Sequence, residues 1–478
     1  EELLSSITRR RDDLGWGKFH WLLLFTCGSG WFVDNAWNVV TAIVMRQVGK
    51  DWDLADTAQS FIPLSLGLGV FIGTISSGYL IDRYGRMFVF KKTLLLSGFV
   101  GLAAAFSYDL SMLCLLFFGM GVGLGGDIMT VSATYIEHCP TQYRYTLNLL
   151  NVLCAVGAAF PLALALLLIA VGAPYMWRFV VGGLSVICLI VCVVRLKMFE
   201  TPIYYFSCRQ VDKAFEVLDK IARMNGRPDD DDVTTPLKPI NASTIEPNHT
   251  EQKLSMSRQI HRLLGSQFKR ILFLQVAVLF MQIWFLTSFT SSGIGMFLPV
   301  FITRAGGSQS SSDVSIYTSM LLISLGGIPS TVFTSWLMST RLKRKKSLVI
   351  SFALTAFFLT ALVWGGFSYY FVRFTQVIGA LALYYFSIIS VYAIVYSMTP
   401  ECFPGDIRGT ALSICSGANR VGTMVGPIVA GLILDSYSGI FVAMVLFVCC
   451  CLAGSGCSVF LRETKGANAD EGIIMHSC

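Results

Sequence analysis

The 478-residue sequence predicts an all-α membrane protein with twelve transmembrane helices in two six-helix repeats. Three observations carry that expectation. The chain is 54% hydrophobic and only 14% charged, with a mean hydropathy of +0.65, whereas soluble domains average roughly a quarter charged residues. Its apolar residues come in long runs that match the roughly 20 residues needed to cross a bilayer, not in the short alternating segments of a membrane barrel. A short charged motif then recurs at the same place in each half of the chain.

The apolar runs fall at about 19–44, 57–80, 88–107, 110–136, 147–172, 177–197, 271–303, 314–338, 347–366, 369–397, 410–434 and 438–461. One long hydrophilic stretch, 198–270, divides six spans from six. The expected organisation is an N-terminal bundle at 1–197, a cytosolic linker at 198–270, a C-terminal bundle at 271–461 and a cytosolic tail at 462–478. Within the linker, Val211, Ala214, Phe215, Val217, Leu218 and Ile221 recur at helical spacing, which predicts an amphipathic helix beneath the membrane. The acidic, proline-containing stretch 229–247 reads as flexible linker.

With both termini cytosolic, the inner loops, linker, tails and inner ends of the spans hold 30 of the 36 Lys and Arg. Arg46, Lys50, Arg178, Arg304 and Arg373 fall outside, and Arg420 falls within a span. This positive-inside bias explains the net charge of +7 by topology, so no nucleic-acid partner is expected. The sequons at Asn241 and Asn248 lie on the cytosolic side and are discounted. No signal-peptide pattern precedes the first span. The fourteen cysteines lie mostly within spans and read as small packing residues. Zinc-ligand spacing, a nucleophile elbow and a Walker lysine are all missing, so neither an enzyme nor a cofactor is expected.

The internal repeat lies just after spans four and ten. Glu137-His138-Cys139-Pro140-Thr141-Gln142-Tyr143-Arg144 and Glu401-Cys402-Phe403-Pro404-Gly405-Asp406-Ile407-Arg408 both read E-x-x-P-x-x-x-R. Between spans two and three stands Gly78-Tyr79-Leu80-Ile81-Asp82-Arg83-Tyr84-Gly85-Arg86, which resembles the G-x-x-x-D-R-x-G-R loop of the major facilitator superfamily. That resemblance implies that Gly78, Asp82, Arg83, Gly85, Arg86, Glu137, Arg144, Glu401 and Arg408 form a cytosolic gate, closed in the outward-facing state. In the second half Thr340 and Lys343 replace the acid and the second glycine, which puts a symmetric latch there in doubt. The segments Gly15-Trp16-Gly17-Lys18-Phe19, Glu200-Thr201-Pro202 and Gly417-Ala418-Asn419-Arg420 resemble the synaptic-vesicle-type branch, near the sugar and organic-ion porters. Membership would place the protein in the plasma membrane or an intracellular vesicle membrane.

Ionisable groups within spans are costly and mark functional sites by default. Asp34, Asp127 and Arg420 each lie about ten residues from a span end, roughly 15 Å deep at 1.5 Å per residue. That is the depth at which transporters bind substrate and coupling ions. Either carboxylate could carry a coupling proton, meet a cationic substrate, or pair structurally with Arg420. Arg420 suits a carboxylate or phosphate, or a fixed ion pair. Polar and aromatic residues at similar depth form the expected cavity lining: Trp31, Asn35 and Asn38, then Gln282, Trp284 and Ser288, then Tyr385, Tyr392 and Asn419. Gly121, Gly123, Gly125 and Gly126 give span four a surface for close helix approach. The resemblance thus implies a secondary active transporter moving a small polar metabolite, an organic ion or sugar-like solute, by alternating access with proton coupling. Two alternatives stand beside it: an inorganic phosphate:proton symporter, in which Ser288 and Ser292 would replace the expected acid and tyrosine, and a non-transporting receptor or scaffold.

Overall fold

The computed structural model describes residues 2–143, 146, 150–208, 210–226, 267–306, 312–340, 342–367, 374–402, 405–434, 439–461 and 463. The regular elements are helices. In chain order they are α1 Glu2–Asp13, α2 Lys18–Asp51, α3 Asp56–Gln59, α4 Phe61–Tyr84, α5 Arg86–Ala104, α6 Leu110–His138, α7 Leu150–Val171, α8 Met176–Arg195, α9 Pro202–Ser207 and α10 Val211–Met224. They continue as α11 Gln267–Gly306, α12 Asp313–Leu325, α13 Gly327–Ser339, α14 Lys343–Phe367, α15 Phe374–Cys402, α16 Gly405–Leu434 and α17 Gly439–Phe460. Each of the twelve expected spans has its helix, the eighth being split into α12 and α13 at Gly326. Nine stretches among the described residues are long and apolar enough to cross a membrane.

The two halves repeat the same packing. In the first, α2 lies on α7, α4 on α6, and α5 on α8; in the second, α11 lies on α16, α13 on α15, and α14 on α17. Small residues set how closely these pairs approach. A Cβ at Gly69, Gly73, Gly121 or Gly125 would collide with backbone of the facing helix across the α4–α6 contact, while Gly123 and Gly126 accommodate Thr93 and Ser97 of α5. The span-four glycines therefore serve helix approach, as expected. Between the halves α4 meets α16, and α7 meets α12 and α13. At the latter seam a Cβ on Gly327 would lie 2.9 Å from the Ala155 Cβ and 3.2 Å from Tyr385.

The end of the bundle bearing Glu137 carries α1, α9 and α10. The amphipathic linker helix forms, as α10, and buries Ala214, Val217, Leu218 and Ile221. Part of that face is covered by α1, whose Ile7 packs on Ala214 and Leu218 while Arg10 pairs with Asp219 at 2.6 Å. Asp12 in turn accepts from the Thr141 amide at 2.9 Å and from its hydroxyl at 2.8 Å. Burial would raise the Asp12 carboxyl, but these bonds and the adjacent Arg11 hold it below its ordinary value.

At the opposite end the halves are tied by charge. Asp313, at the first turn of α12, accepts from Arg46 at 3.1 Å and Lys50 at 2.8 Å on α2, while Gln47 donates to the Tyr317 hydroxyl at 2.8 Å. Beneath them Ile43, Val44 and Val48 pack with Ile302, Ile316 and Tyr317 in one apolar cluster. The ion pairs are partly solvated and contribute up to about 1 kcal/mol each. Asp313→Asn should therefore raise alkylation of the cavity cysteine Cys154 from that side roughly two- to fivefold, followed by peptide mass spectrometry. An unchanged rate would show that the apolar layer alone closes this end.

Candidate functional site

The span-two motif region is built around helix ends. Gly85 ends α4 and starts α5 at φ +95, a conformation that favours glycine. The exposed amides of Arg86 and Met87 donate to the Glu200 carboxylate at 3.1 and 3.0 Å, an anion on a helix N-terminus. The Arg86 side chain reaches Glu137 at 2.7 Å, and Arg83 lies over the Tyr84 ring at 5.5 Å. Of the other expected gate residues, Gly78 lies within α4, while Arg144 and the side chains of Asp82, Glu401 and Arg408 lie outside the described residues.

The second half keeps more of this device than its residues suggested. Lys343 stands at the Gly85 position with φ +58, and the amides of Arg344 and Lys345 donate to Glu463 at 3.0 and 3.2 Å. Glu463 is thus the counterpart of Glu200, so the cap survives although Asp82 is replaced by Thr340. Left-handed backbone costs a side-chain-bearing residue about 1–2 kcal/mol, against about 0.5–1 for the freedom glycine loses on folding. Lys343→Gly should accordingly stabilise the protein by roughly 0.5–1 kcal/mol, read as a small rise in melting temperature in detergent. A fall would show that the lysine side chain is needed there.

Between the halves lies a cavity of about 240 Å³. One stripe of α2 lines it through Trp31, Asp34, Asn35, Asn38 and Ala42, the spacing of neighbours on one helix face. α15 supplies Tyr384, Tyr385, Tyr392 and Tyr396, α16 supplies Asn419, Arg420 and Thr423, and α11 supplies Ser291 and Ser292. Ser324 of α12 and Cys154 of α7 complete the polar lining. Asn35 and Asn38 donate back to Trp31 O at 3.0 Å and Asp34 O at 2.8 Å, which leaves their Oδ1 atoms as acceptors. The Tyr392 hydroxyl pairs with Ser291 at 2.8 Å. Tyr396 packs between Trp31 and Trp284, with ring centroids 5.3 and 4.6 Å away, and bridges the two halves.

Arg420 is 8% exposed, and its Nε has no hydrogen-bond partner. Asp34 shares the cavity, yet no ion pair joins it to Arg420 among the described residues. The Asn419 Oδ1 and the Tyr384 hydroxyl are likewise buried without partners. Such atoms are expensive to leave unmatched.

Three expected lining residues and one expected midplane charge are placed elsewhere. Gln282 faces Cys457 on α17, with the thiol donating to Oε1 at 3.7 Å. Ser288 turns into the α11–α16 contact, where a Cβ on Gly422 would strike its hydroxyl. Trp284 stands behind Tyr396 and donates to Thr399 at 3.2 Å. Asp127 is paired with Arg195, both being almost fully buried. Arg195 also donates to the Phe90 carbonyl at 3.1 Å and the Thr26 carbonyl at 3.2 Å, and lies 3.9 Å from the Phe90 ring centroid. The structural partner of Asp127 is therefore Arg195, not Arg420, and Arg195 is no solvated flanking charge.

Residues 30–472 match the family model described as Sugar (and other) transporter. The niacin transporter NiaP of Acinetobacter baylyi is 28% identical, over 96% of this chain and 98% of its own length. The synaptic vesicle 2-related protein of Xenopus laevis is 25% identical, over 96% of this chain and 81% of its own. Among solved structures, the proton:xylose symporter XylE bound to 6-bromo-6-deoxy-D-glucose superimposes with a TM-score of 0.74 at 16% identity. That match covers 95% of this chain and 98% of the symporter, a likeness of fold.

Proposed function

The chain belongs to the sugar (and other) transporter family of the major facilitator superfamily, and from that premise we propose that it moves a small polar organic ion by proton-coupled alternating access. It is an integral, multi-pass membrane transporter and not an enzyme. The observation that carries the finer reading is the cavity enclosed between the halves, in which Asp34 and Arg420 stand unpaired. Two opposite charges held apart there can each serve a ligand, one a proton and the other an anion.

Tilting the two six-helix bundles against each other would open the cavity alternately. One end is held by Asp313 with Arg46 and Lys50. The Glu137 end, with the termini and the linker helix, is the cytosolic one in this reading, as the distribution of Lys and Arg requires. The charge environment of Asp34 consists of Arg420 and Asp127, and Tyr392 and Tyr396 face it across the cavity. Proteoliposomes given a panel of labelled organic acids, amines and sugars should accumulate at least one of them beyond the level of protein-free liposomes, and only when a pH gradient is imposed. Accumulation indifferent to the gradient would overturn the coupling, and no flux across the panel would overturn transport through this cavity.

A further inference from the structure

Arg420 presents an unusual combination for a cavity in a bilayer. It is a permanent charge, almost wholly buried, with its Nε unpartnered and no carboxylate of the protein bound to it among the described residues. Asp34 shares the cavity without forming an ion pair with it, and a buried guanidinium that keeps Nε–H free can grip a carboxylate side-on through two parallel hydrogen bonds. A neutral sugar would give the free Nε–H no charged acceptor. A cation would meet it as a like charge.

The remaining walls narrow the choice further. Tyr384, Tyr385, Tyr392 and Tyr396 recur along α15, and Trp31 faces them from α2. Inorganic phosphate would find Arg420 but leave these faces unused, whereas a flat ring matches their tilted and edge-on packing. The Asn419 Oδ1, on the residue preceding Arg420, is a further buried polar atom without a partner. At about 240 Å³, the cavity falls below the roughly 300–1,000 Å³ of sites for drug-sized ligands.

We propose that the cargo is a small aromatic monocarboxylate, its carboxylate held by Arg420 and its ring by the Trp31 and tyrosine faces. This assignment rests on the transporter reading of the same cavity. The test is equilibrium binding to the full chain in detergent, with benzoate, benzamide, benzylammonium and glucose as probes. Binding is measured rather than uptake because protonated benzoic acid crosses bilayers unaided. Benzoate should bind and raise the melting temperature, and the other three should not compete with it. Arg420→Lys should weaken benzoate roughly 10- to 100-fold, and Arg420→Gln should abolish binding. The wild-type panel decides the matter even if a variant fails to fold. Saturable binding of glucose, benzamide or benzylammonium with none of benzoate would overturn the assignment, as would benzoate affinity unchanged in a folded Arg420→Gln protein. Benzoate binding in a protein that shows no solute flux would support the cargo class and overturn transport. Gradient-driven flux of another solute without benzoate binding would do the reverse.

Discussion

Arg195→Gln will destabilise the folded protein by roughly 3–5 kcal/mol, because it strips a buried carboxylate of its counter-charge. Asp127 is 3% exposed at its side chain and Arg195 0%, so water cannot take over the lost partner. The same substitution frees the Phe90 and Thr26 carbonyls, each an acceptor from the guanidinium. Four helices meet at this point: α2, α5, α6 and α8. α2 passes so near the pair that a Cβ on Gly30 would lie 2.6 Å from both Arg195 Nη2 and Asp127 Oδ2. The effect should appear as a lower melting temperature in detergent and poorer monodispersity. Asp127→Asn should do less harm, since an amide can still accept from the guanidinium, though it leaves the positive charge unmatched. In a double-mutant cycle, Asp127→Leu with Arg195→Met should lose much less than the sum of the two single changes. Additive losses would mean that the pair does not act as a unit.

The pair also shows where sequence reasoning reached and where it stopped. Twelve apolar runs were legible because a span announces itself by length and hydropathy, and the repeat because two motifs shared one position. Depth was legible too, since rise per residue converts position to ångströms. Rotation about the helix axis was not. Asp34 and Asp127 have similar depth in the sequence, yet α2 turns Asp34 to the cavity while α6 turns Asp127 toward α8. Arg195 sits at the end of an apolar run, where a cation is ordinarily a solvated flank, so its burial left no mark in the sequence. On α11 the expectation took Gln282, Trp284 and Ser288, whereas the face lining the cavity carries Ser291 and Ser292. Tyr384 and Tyr396 were missed although Tyr385 and Tyr392 were found, and the heptad-like spacing on α15 would have suggested Tyr396. Glu463 escaped because only the structure sets it against the amides that start α14.

Asp34→Asn should abolish concentrative uptake while preserving exchange of cargo across the membrane. In the proposed cycle, an anionic cargo on Arg420 places a second carboxylate beside the one guanidinium that Asp34 also faces. Two carboxylates sharing one counter-charge cannot both stay ionised at low cost, so cargo binding favours a proton on Asp34. The loaded carrier then crosses with one proton and one anion. For that stoichiometry an imposed difference of one pH unit, worth about 1.36 kcal/mol, sustains about tenfold accumulation. Asparagine mimics the protonated acid at nearly constant volume, so the cavity keeps its shape and its affinity for cargo. It cannot release a proton, so the return of the empty carrier no longer depends on pH. With passive entry into protein-free liposomes subtracted, counterflow of labelled against unlabelled cargo should therefore persist near the wild-type rate, while carrier-dependent accumulation disappears, since no proton is left to drive it. Loss of both activities would make Asp34 a cargo ligand, and retention of gradient-driven accumulation would move the coupling to another group. Asp127→Asn serves as the comparison: held by Arg195 away from the cavity, it should lower stability and leave the pH dependence of uptake in place.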